Sequence, residues 1–413
     1  MEKSLIAANE KVSNHIYDDI AFFILSKLPL KSLIRFSCAS KPWSLLFQNP
    51  YFMNMFRTNF LSKDHSHYND TSLFLQVIPL WFVNPNSAVT PRLYSLFGDK
   101  FENMIEFELD WPDSYDNKYC EFGIQGSDSV NGILCIRDTG FGPGAEPIIE
   151  EWGRYVLWNP ATGEFQITPI SPFAFESPFR AMHPIIDFHG FGYDRISDDC
   201  KVIQNVRSFP RANEDGREAW EIYSLKSNSW KKLDVDMPIR YQNTFGVEVY
   251  MDGVCHWWTE SESETCDEVY LVSFDLSNEV FVKTSIPSNM DDAGIDIGND
   301  TRIVYRFLMV LKGSICWISN YKEEAPTFHI SVLGEVGVKE SWTKLFTVGP
   351  LSCIDYPIGI GKKGDIFFNR SDDELVWFDL NTQSFEELGV KGDHTSKIVL
   401  YKESLLPFAR ISD

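Results

Sequence analysis

Cysteine is scarce and scattered in this chain. Eight residues in 413, Cys38, Cys120, Cys135, Cys200, Cys255, Cys266, Cys316 and Cys353, form no Cys-x-x-Cys pair. That spacing argues against a closed zinc site and a disulfide framework, so reduced, mostly buried thiols are expected. No stretch approaches the ~20 apolar residues that a bilayer-spanning helix needs. Met1–Asn14 is polar and of mixed charge, unlike a signal peptide. These absences predict an intracellular chain, cytoplasmic or nuclear, with no membrane partner. Positive charge is also short: 37 Lys and Arg face 59 Asp and Glu, for a net charge of −22. The deficit is uneven. Residues 1–63 hold eight Lys/Arg and four Asp/Glu, so the remainder carries −26. A body this acidic repels phosphate backbones at long range, which disfavours nucleic acid and favours a basic protein target.

What is present is a globular composition, 44% hydrophobic and 15% aromatic, and the aromatic share leans toward β structure. The length exceeds what one core usually supports, so two domains of unequal size are expected. Residues 12–60 read as short helices. Asp18 is a candidate N-cap for a helix from Asp19 to about Leu28, stopped by Pro29. A second helix runs from Leu30 to Cys38, and Ser40 opens a third that Asn49-Pro50 ends. Between Ile16 and Phe47, 19 of 32 residues are hydrophobic. The run Ile20-Ala21-Phe22-Phe23-Ile24-Leu25 wraps its helix, whereas one packed face takes only every third or fourth position. One side can enter the bundle while another stays uncovered, and three short helices do not make a self-sufficient core. A helical partner protein is the expected cover. Residues 61–71 are polar and suit a linker, in which Asp64, His65 and His67 read as coincidence rather than a metal site.

Residues 72–410 switch to short strands and turns, and the pattern repeats. Four segments align without gaps: Trp158 to Phe165, Tyr223 to Trp230, Phe274 to Phe281 and Phe378 to Phe385. Each has an aromatic, then Asn, Ser or Asp, then a second aromatic seven positions after the first. This spacing predicts a hairpin whose Asx or Ser side chain caps the turn while the aromatics pair on one buried face. A degraded copy runs from Ile330 to Trp342. Glycine-led apolar strands begin at Gly132, Gly253, Gly313 and Gly364, and Gly190-Phe191-Gly192-Tyr193-Asp194 introduces the remaining copy. A repeat near 50 residues predicts a mainly β fold, a kelch-type β-propeller. Five blades follow the pattern. Strands within 72–110 and at Ile398-Val399-Leu400-Tyr401 make a sixth by joining the two ends, which removes exposed sheet edges.

By this point two families are recognisable. Asp18-Asp19, Ile24 to Leu33, Arg35-Phe36, Cys38, Ser40-Lys41, Trp43 and Asn49-Pro50 closely resemble an F-box. Leu157 to Thr162, Gly190 to Asp194, Phe274-Asp275-Leu276 and Phe378-Asp379-Leu380 resemble the F-box-associated domain of a large plant family, similar to its S-locus F-box and F-box/kelch-repeat members. The resemblance implies a substrate-recognition subunit of an SCF-type ubiquitin ligase. The F-box docks a Skp-type adaptor, which links to cullin and RING subunits, and the propeller holds a protein target. Catalysis is then proximity, with no covalent chemistry, metal or cofactor required of this chain. The implied docking or motif-core set is Ile16, Tyr17, Ile20, Ile24, Leu25, Leu28, Pro29, Leu33 and Trp43. Family members usually carry Leu-Pro where this chain has Ile16-Tyr17, and Tyr17 lacks the fixed φ of proline.

Two alternatives compete. A propeller enzyme needs converging carboxylates or a Tyr/His copper site; Asp291, Asp292, Asp296, Asp300, His183, His189 and His256 are the nearest candidates. The aspartates lack calcium-loop spacing, and His256 beside Trp257 reads as a core histidine. A propeller scaffold or lectin-like binder outside any ligase would instead use exposed Trp81, Trp111 or Trp152. For target contact, the segments 140–152, 171–186, 210–218, 259–267 and 287–301 are the candidate rim loops.

Overall fold

The computed structural model describes residues 18–28, 32, 33, 35, 36, 45, 49, 51, 52, 55, 71–77, 92–98, 100–107, 122–138, 154–175, 184–208, 217–235, 237, 248–261, 268–287, 290, 304–321, 325–380, 382–392, 395–404 and 408. The chain divides into two compact units, Met1–Asp70 and Thr71–Asp413.

In the first unit, helix α1 spans Asp18–Leu25, so it begins on the expected cap residue itself. Among the described residues of this unit, Leu25, Leu33 and Phe52 are the buried apolar ones. Asn49-Pro50 precedes helical residues, and the end of the helix expected before it lies outside the described residues. Asn49 Oδ1 accepts hydrogen bonds from the backbone N–H groups of Tyr51 (2.9 Å) and Phe52 (3.2 Å), and both residues are helical. Asn followed by Pro is a common N-cap before a first-turn proline, and the hydrogen bonds show that a helix starts here.

The second unit is mostly strand. One sheet combines β1 (Thr71–Val77), β2 (Arg92–Phe97), β3 (Asn103–Phe107), β4 (Phe122–Val130), β5 (Ile133–Asp138), β6 (Tyr155–Trp158), β7 (Phe165–Ile167) and the C-terminal β24 (Lys397–Lys402). Its order is β3-β2-β1-β24-β4-β5-β6-β7, and β24 meets β4 through a single parallel pairing, Leu400 with Asp128. The others have four strands each. They are β8 (Ile185–Asp194) to β11 (Ser229–Leu233) through β9 (Asp199–Ser208) and β10 (Arg217–Ser224), and β12 (Val249–Met251) to β15 (Val280–Ser285) through β13 (Val254–Ser261) and β14 (Glu268–Asp275). The third is β16 (Val304–Leu311), β17 (Ser314–Tyr321), β18 (Phe328–Leu333) and β19 (Trp342–Val348). The last is β20 (Ile354–Ile360), β21 (Ile366–Arg370), β22 (Glu374–Asp379) and β23 (Ser384–Lys391). Strands β4, β8, β12, β16, β20 and β24 lie next to one another in that order, and β24 returns to β4. The two ends of the unit do share a sheet, because β24 pairs antiparallel with β1.

The apolar layers lie between successive sheets, as a propeller-like arrangement requires. Ile203, Trp220 and Ile222 of one sheet pack on Trp257, Val272 and Phe274 of the next. Leu271 packs with Leu308 and Trp317, Ile318 and Phe328 with Ile366 and Phe368, and Leu73 and Ile398 with Phe367 and Trp377. Close approach explains Gly192: a Cβ there would sit 2.4 Å from the Tyr250 ring, so only glycine lets β8 and β12 meet. The segment Gly190–Asp194 therefore lies inside β8, beside the neighbouring sheet, and does not lead in a second strand as the other glycines do.

The four hairpins form as their spacing requires. Trp158 pairs with Phe165, Tyr223 with Trp230, Phe274 with Phe281 and Phe378 with Phe385. Ring centroids are 5.4, 4.8 and 4.8 Å apart in the last three. The Asx and Ser caps are in place: Asn159 accepts from Ala161 N (3.0 Å), Ser224 from Ser227 N (3.1 Å), and Asp275 from Ser277 N (2.8 Å). The fifth residue after each leading aromatic, Gly163, Asn228, Glu279 or Gln383, adopts positive φ. This left-handed residue matches a type I turn to a right-twisted hairpin.

Candidate functional site

On α1 the apolar run divides as helical geometry dictates. Phe22 turns inward and meets Phe52 edge-on at 5.8 Å, and Leu25 is buried one turn later. Ile20, Phe23 and Ile24, at spacings of three and four, share the other face and are 52%, 52% and 51% exposed. Covering such side chains fully contributes about 1.5–3 kcal/mol each, so half-covered ones leave roughly half of that unrealised. The helix end is fixed around this face: Ser26 Oγ donates to the Phe23 carbonyl (3.0 Å), and the Lys27 ammonium sits 4.0 Å from the Phe23 ring centroid. Phe36, Leu45 and Tyr51 add exposed apolar surface to the same unit.

The predicted set thus separates. Ile20 and Ile24 lie on the exposed face, Leu25 and Leu33 in the core, and Leu28 is half-buried. Ile16, Tyr17, Pro29 and Trp43 lie outside the described residues. Phe23 belongs with Ile20 and Ile24; its position three residues after Ile20 was the available signal.

In the strand unit, antiparallel alternation sends the first-to-second and third-to-fourth turns of each sheet to one end. The remaining connections leave from the other. Segments 140–152, 171–186, 210–218, 259–267 and 287–301 all belong to that second end, and most of their residues lie outside those described. Described side chains beside them form mixed pairs: Arg207 with Asp187 (2.7 Å), and Arg306 with Glu260 (2.5 Å). Inner strands β4 and β24 and the residue before β12 bring Asp128, Lys397 and Glu248 near one another. Burial pushes the Lys397 ammonium down to about 8 and the Asp128 and Glu248 carboxyls up to about 7. Residues from three distant stretches leave no local signal for this cluster, and the sequence reading missed it.

Of the enzyme candidates, His189 and His256 are described. His256 is buried, shares a 2.8 Å hydrogen bond between Nδ1 and Ser273 Oγ, and burial pushes it down to about 4. His189 is buried between Trp220 and Trp257, each ring 4.7 Å away, and burial pushes it down to about 3. His183, Asp291, Asp292, Asp296, Asp300, Trp81, Trp111 and Trp152 lie outside the described residues, as do Asp64, His65 and His67. No group of three or more His, Cys, Asp or Glu able to hold a metal occurs among the described residues. Cys135, Cys200, Cys255 and Cys316 are buried, and Cys353 is exposed.

A family model described as the F-box associated beta propeller domain matches residues 148–404, more than half of the chain. The chain belongs to that family. An F-box domain model matches residues 14–54, the stretch that contains α1 and its exposed face. F-box protein CPR1 of Arabidopsis thaliana is 27% identical, over 90% of this chain and 84% of that one. An F-box/LRR-repeat/kelch-repeat protein of the same plant is 24% identical, over 93% and 94%. F-box proteins are generally substrate-recognition subunits of SCF ligases and typically non-catalytic adaptors. An F-box implies a Skp-type adaptor as partner.

Proposed function

We propose that this chain docks a Skp-type adaptor through Ile20, Phe23 and Ile24 and presents a protein target for ubiquitination at the long-loop end of its propeller. The observation that carries this reading is the exposed apolar face on a unit too small to cover it. Cullin and RING subunits join through the adaptor, and the propeller, which we read as six-bladed, positions target lysines near the charged conjugating enzyme. The rate gain comes from effective concentration, with no reacting group supplied by this chain. A net charge of −22 favours a basic target. Cysteines as scattered as these fit the reducing cytoplasm or nucleus.

Co-expression with a Skp-type adaptor tests the docking half: the two proteins purify together, and Ile24→Asp separates them. Co-purification that survives Ile24→Asp and Phe23→Asp overturns the assignment of this face. The target is found among ubiquitinated proteins that disappear when the chain is deleted.

A further inference from the structure

At the short-turn end of the strand unit, the seam between the β8–β11 sheet and the β12–β15 sheet opens into a cavity of about 470 Å³. That volume lies within the usual range for small-molecule sites. Sheet register builds its wall. Lys201 of β9 pairs with Ser224 of β10, which pairs with Ser229 of β11, so an ammonium and two hydroxyls form one row. The next row on that face is Ile203, Ile222 and Lys231, in which both isoleucines enter the apolar layer against the adjoining sheet. Ile222 is therefore an apolar floor, and the β10–β11 turn adds Lys226 to the lining.

Three ammoniums, Lys201, Lys226 and Lys231, line this cavity against two carboxylates, Asp199 and Glu279. That balance is positive in a chain whose net charge is −22. Both carboxylates are engaged. Asp199 accepts from the Ser224 hydroxyl and from Lys226 N (2.9 Å), and Glu279 accepts from Lys231 Nζ (2.6 Å). Lys201, with 12% of its side chain exposed, is fixed by Asp194 (2.8 Å) and the Leu276 carbonyl (3.0 Å). Lys226 differs. Its ammonium donates to a neutral group, the Ser197 carbonyl (3.2 Å), and forms no ion pair among the described residues. The Ser227 and Ser229 hydroxyls are 2.8 Å apart; one donates to the other, which leaves a second O–H for a ligand.

We propose that this cavity binds a phosphate monoester, with Lys226 as the principal cationic contact and the Ser227–Ser229 pair as hydroxyl donor. A monoester carries about −1.5 to −2 charge at pH 7 and three acceptor oxygens, which suits compact ammonium and hydroxyl donors. Its organic substituent lies over Ile222. Nucleic acid or an anionic membrane fits poorly, because the acidic body repels an extended polyanion while a lone phosphate meets the local positive balance. The cavity lies at the opposite end of the strands from the long loops, so it is separate from the end proposed for the target.

Titration calorimetry of the full-length chain in ~0.15 M NaCl, with O-phosphoserine and glucose 6-phosphate as probes, tests this. At least one probe binds saturably with a Kd of roughly 1 mM or tighter. Lys226→Ala weakens that binding about tenfold or more, the factor one charge-assisted hydrogen bond is worth, and leaves the backbone donor to Asp199 in place. Glu279→Gln tightens it, because Lys231 is released from a competing carboxylate. A preference for phosphoserine identifies a phosphorylated side chain as the natural ligand, and a preference for glucose 6-phosphate a small molecule. If neither probe binds more tightly than ~10 mM, or if Lys226→Ala and Lys231→Ala both leave the affinity unchanged, the proposal is overturned.

Discussion

The two units treat apolar side chains in opposite ways. In the strand unit, large aromatics such as Phe274, Phe328, Phe367 and Trp317 are fully buried, each between sheets that cover it from both sides. In the helical unit, only Leu25, Leu33 and Phe52 reach that state among the described apolar residues, while Ile20, Phe23 and Ile24 keep half their surface in water. The contrast follows from geometry. A sheet hides one face against the next sheet, and a closed succession of sheets repeats the remedy, whereas a small unit of short helices has no further layer to offer. On α1 the surface left over gathers on one face, Ile20, Phe23 and Ile24, where a partner can use it.

Substitutions sharpen the contrast by affecting one unit and sparing the other. The largest effect belongs to Phe274→Ala, which leaves a cavity between two sheets and destabilises the propeller by about 3–5 kcal/mol while adaptor binding persists. Chemical denaturation of the full chain, monitored beside adaptor capture, reads both. Next is Asp194→Ala. The Asp194 carboxylate receives Lys201 Nζ at 2.8 Å, Ile196 N at 2.8 Å and the Ser277 hydroxyl from the adjoining sheet, and Lys201 also donates to the Leu276 carbonyl at 3.0 Å. Removing the carboxylate strands a largely buried ammonium and costs about 3 kcal/mol of unfolding free energy.

The same aspartate makes an acid-sensitive joint. Burial alone would raise its pKa, but the hydrogen bonds from Lys201, Ser197, Ser277 and Ile196 outweigh burial and hold it below the ordinary carboxylate value of 3.8. A depressed folded pKa contributes stability that is present above pH 4 and lost as pH falls further. Denaturation midpoints at pH 7 and pH 3 should therefore differ less in Asp194→Asn than in the natural chain. The smallest effect is Lys27→Ala. Losing the cation over Phe23 weakens adaptor binding by about 0.5–1 kcal/mol, measurable by calorimetry, with the propeller unchanged.

Local features were readable from sequence and distant ones were not. Trp158, Tyr223, Phe274 and Phe378 announced their hairpins because partner and turn lie within eight residues. The run from Ile20 to Leu25 announced its uncovered side through helical period alone. The left-handed turn residue escaped notice because Gly163, Asn228, Glu279 and Gln383 share a backbone conformation but no chemistry. The helix that Asn49 opens went unread because a cap and a stop draw on the same residues. Gly192 answers to Tyr250 across a sheet boundary, and Ser129 to Lys402 across 273 positions; such pairs exist only once the fold brings them together.

Adaptor affinity of the full-length chain before and after Ile24→Asp, with propeller unfolding recorded on the same samples, tests the central claim most directly. A charge on the uncovered face should weaken binding at least ~30-fold, the loss expected when an interface anchor is removed, and leave the unfolding transition where it was. Equal affinity in two properly folded proteins would contradict the account.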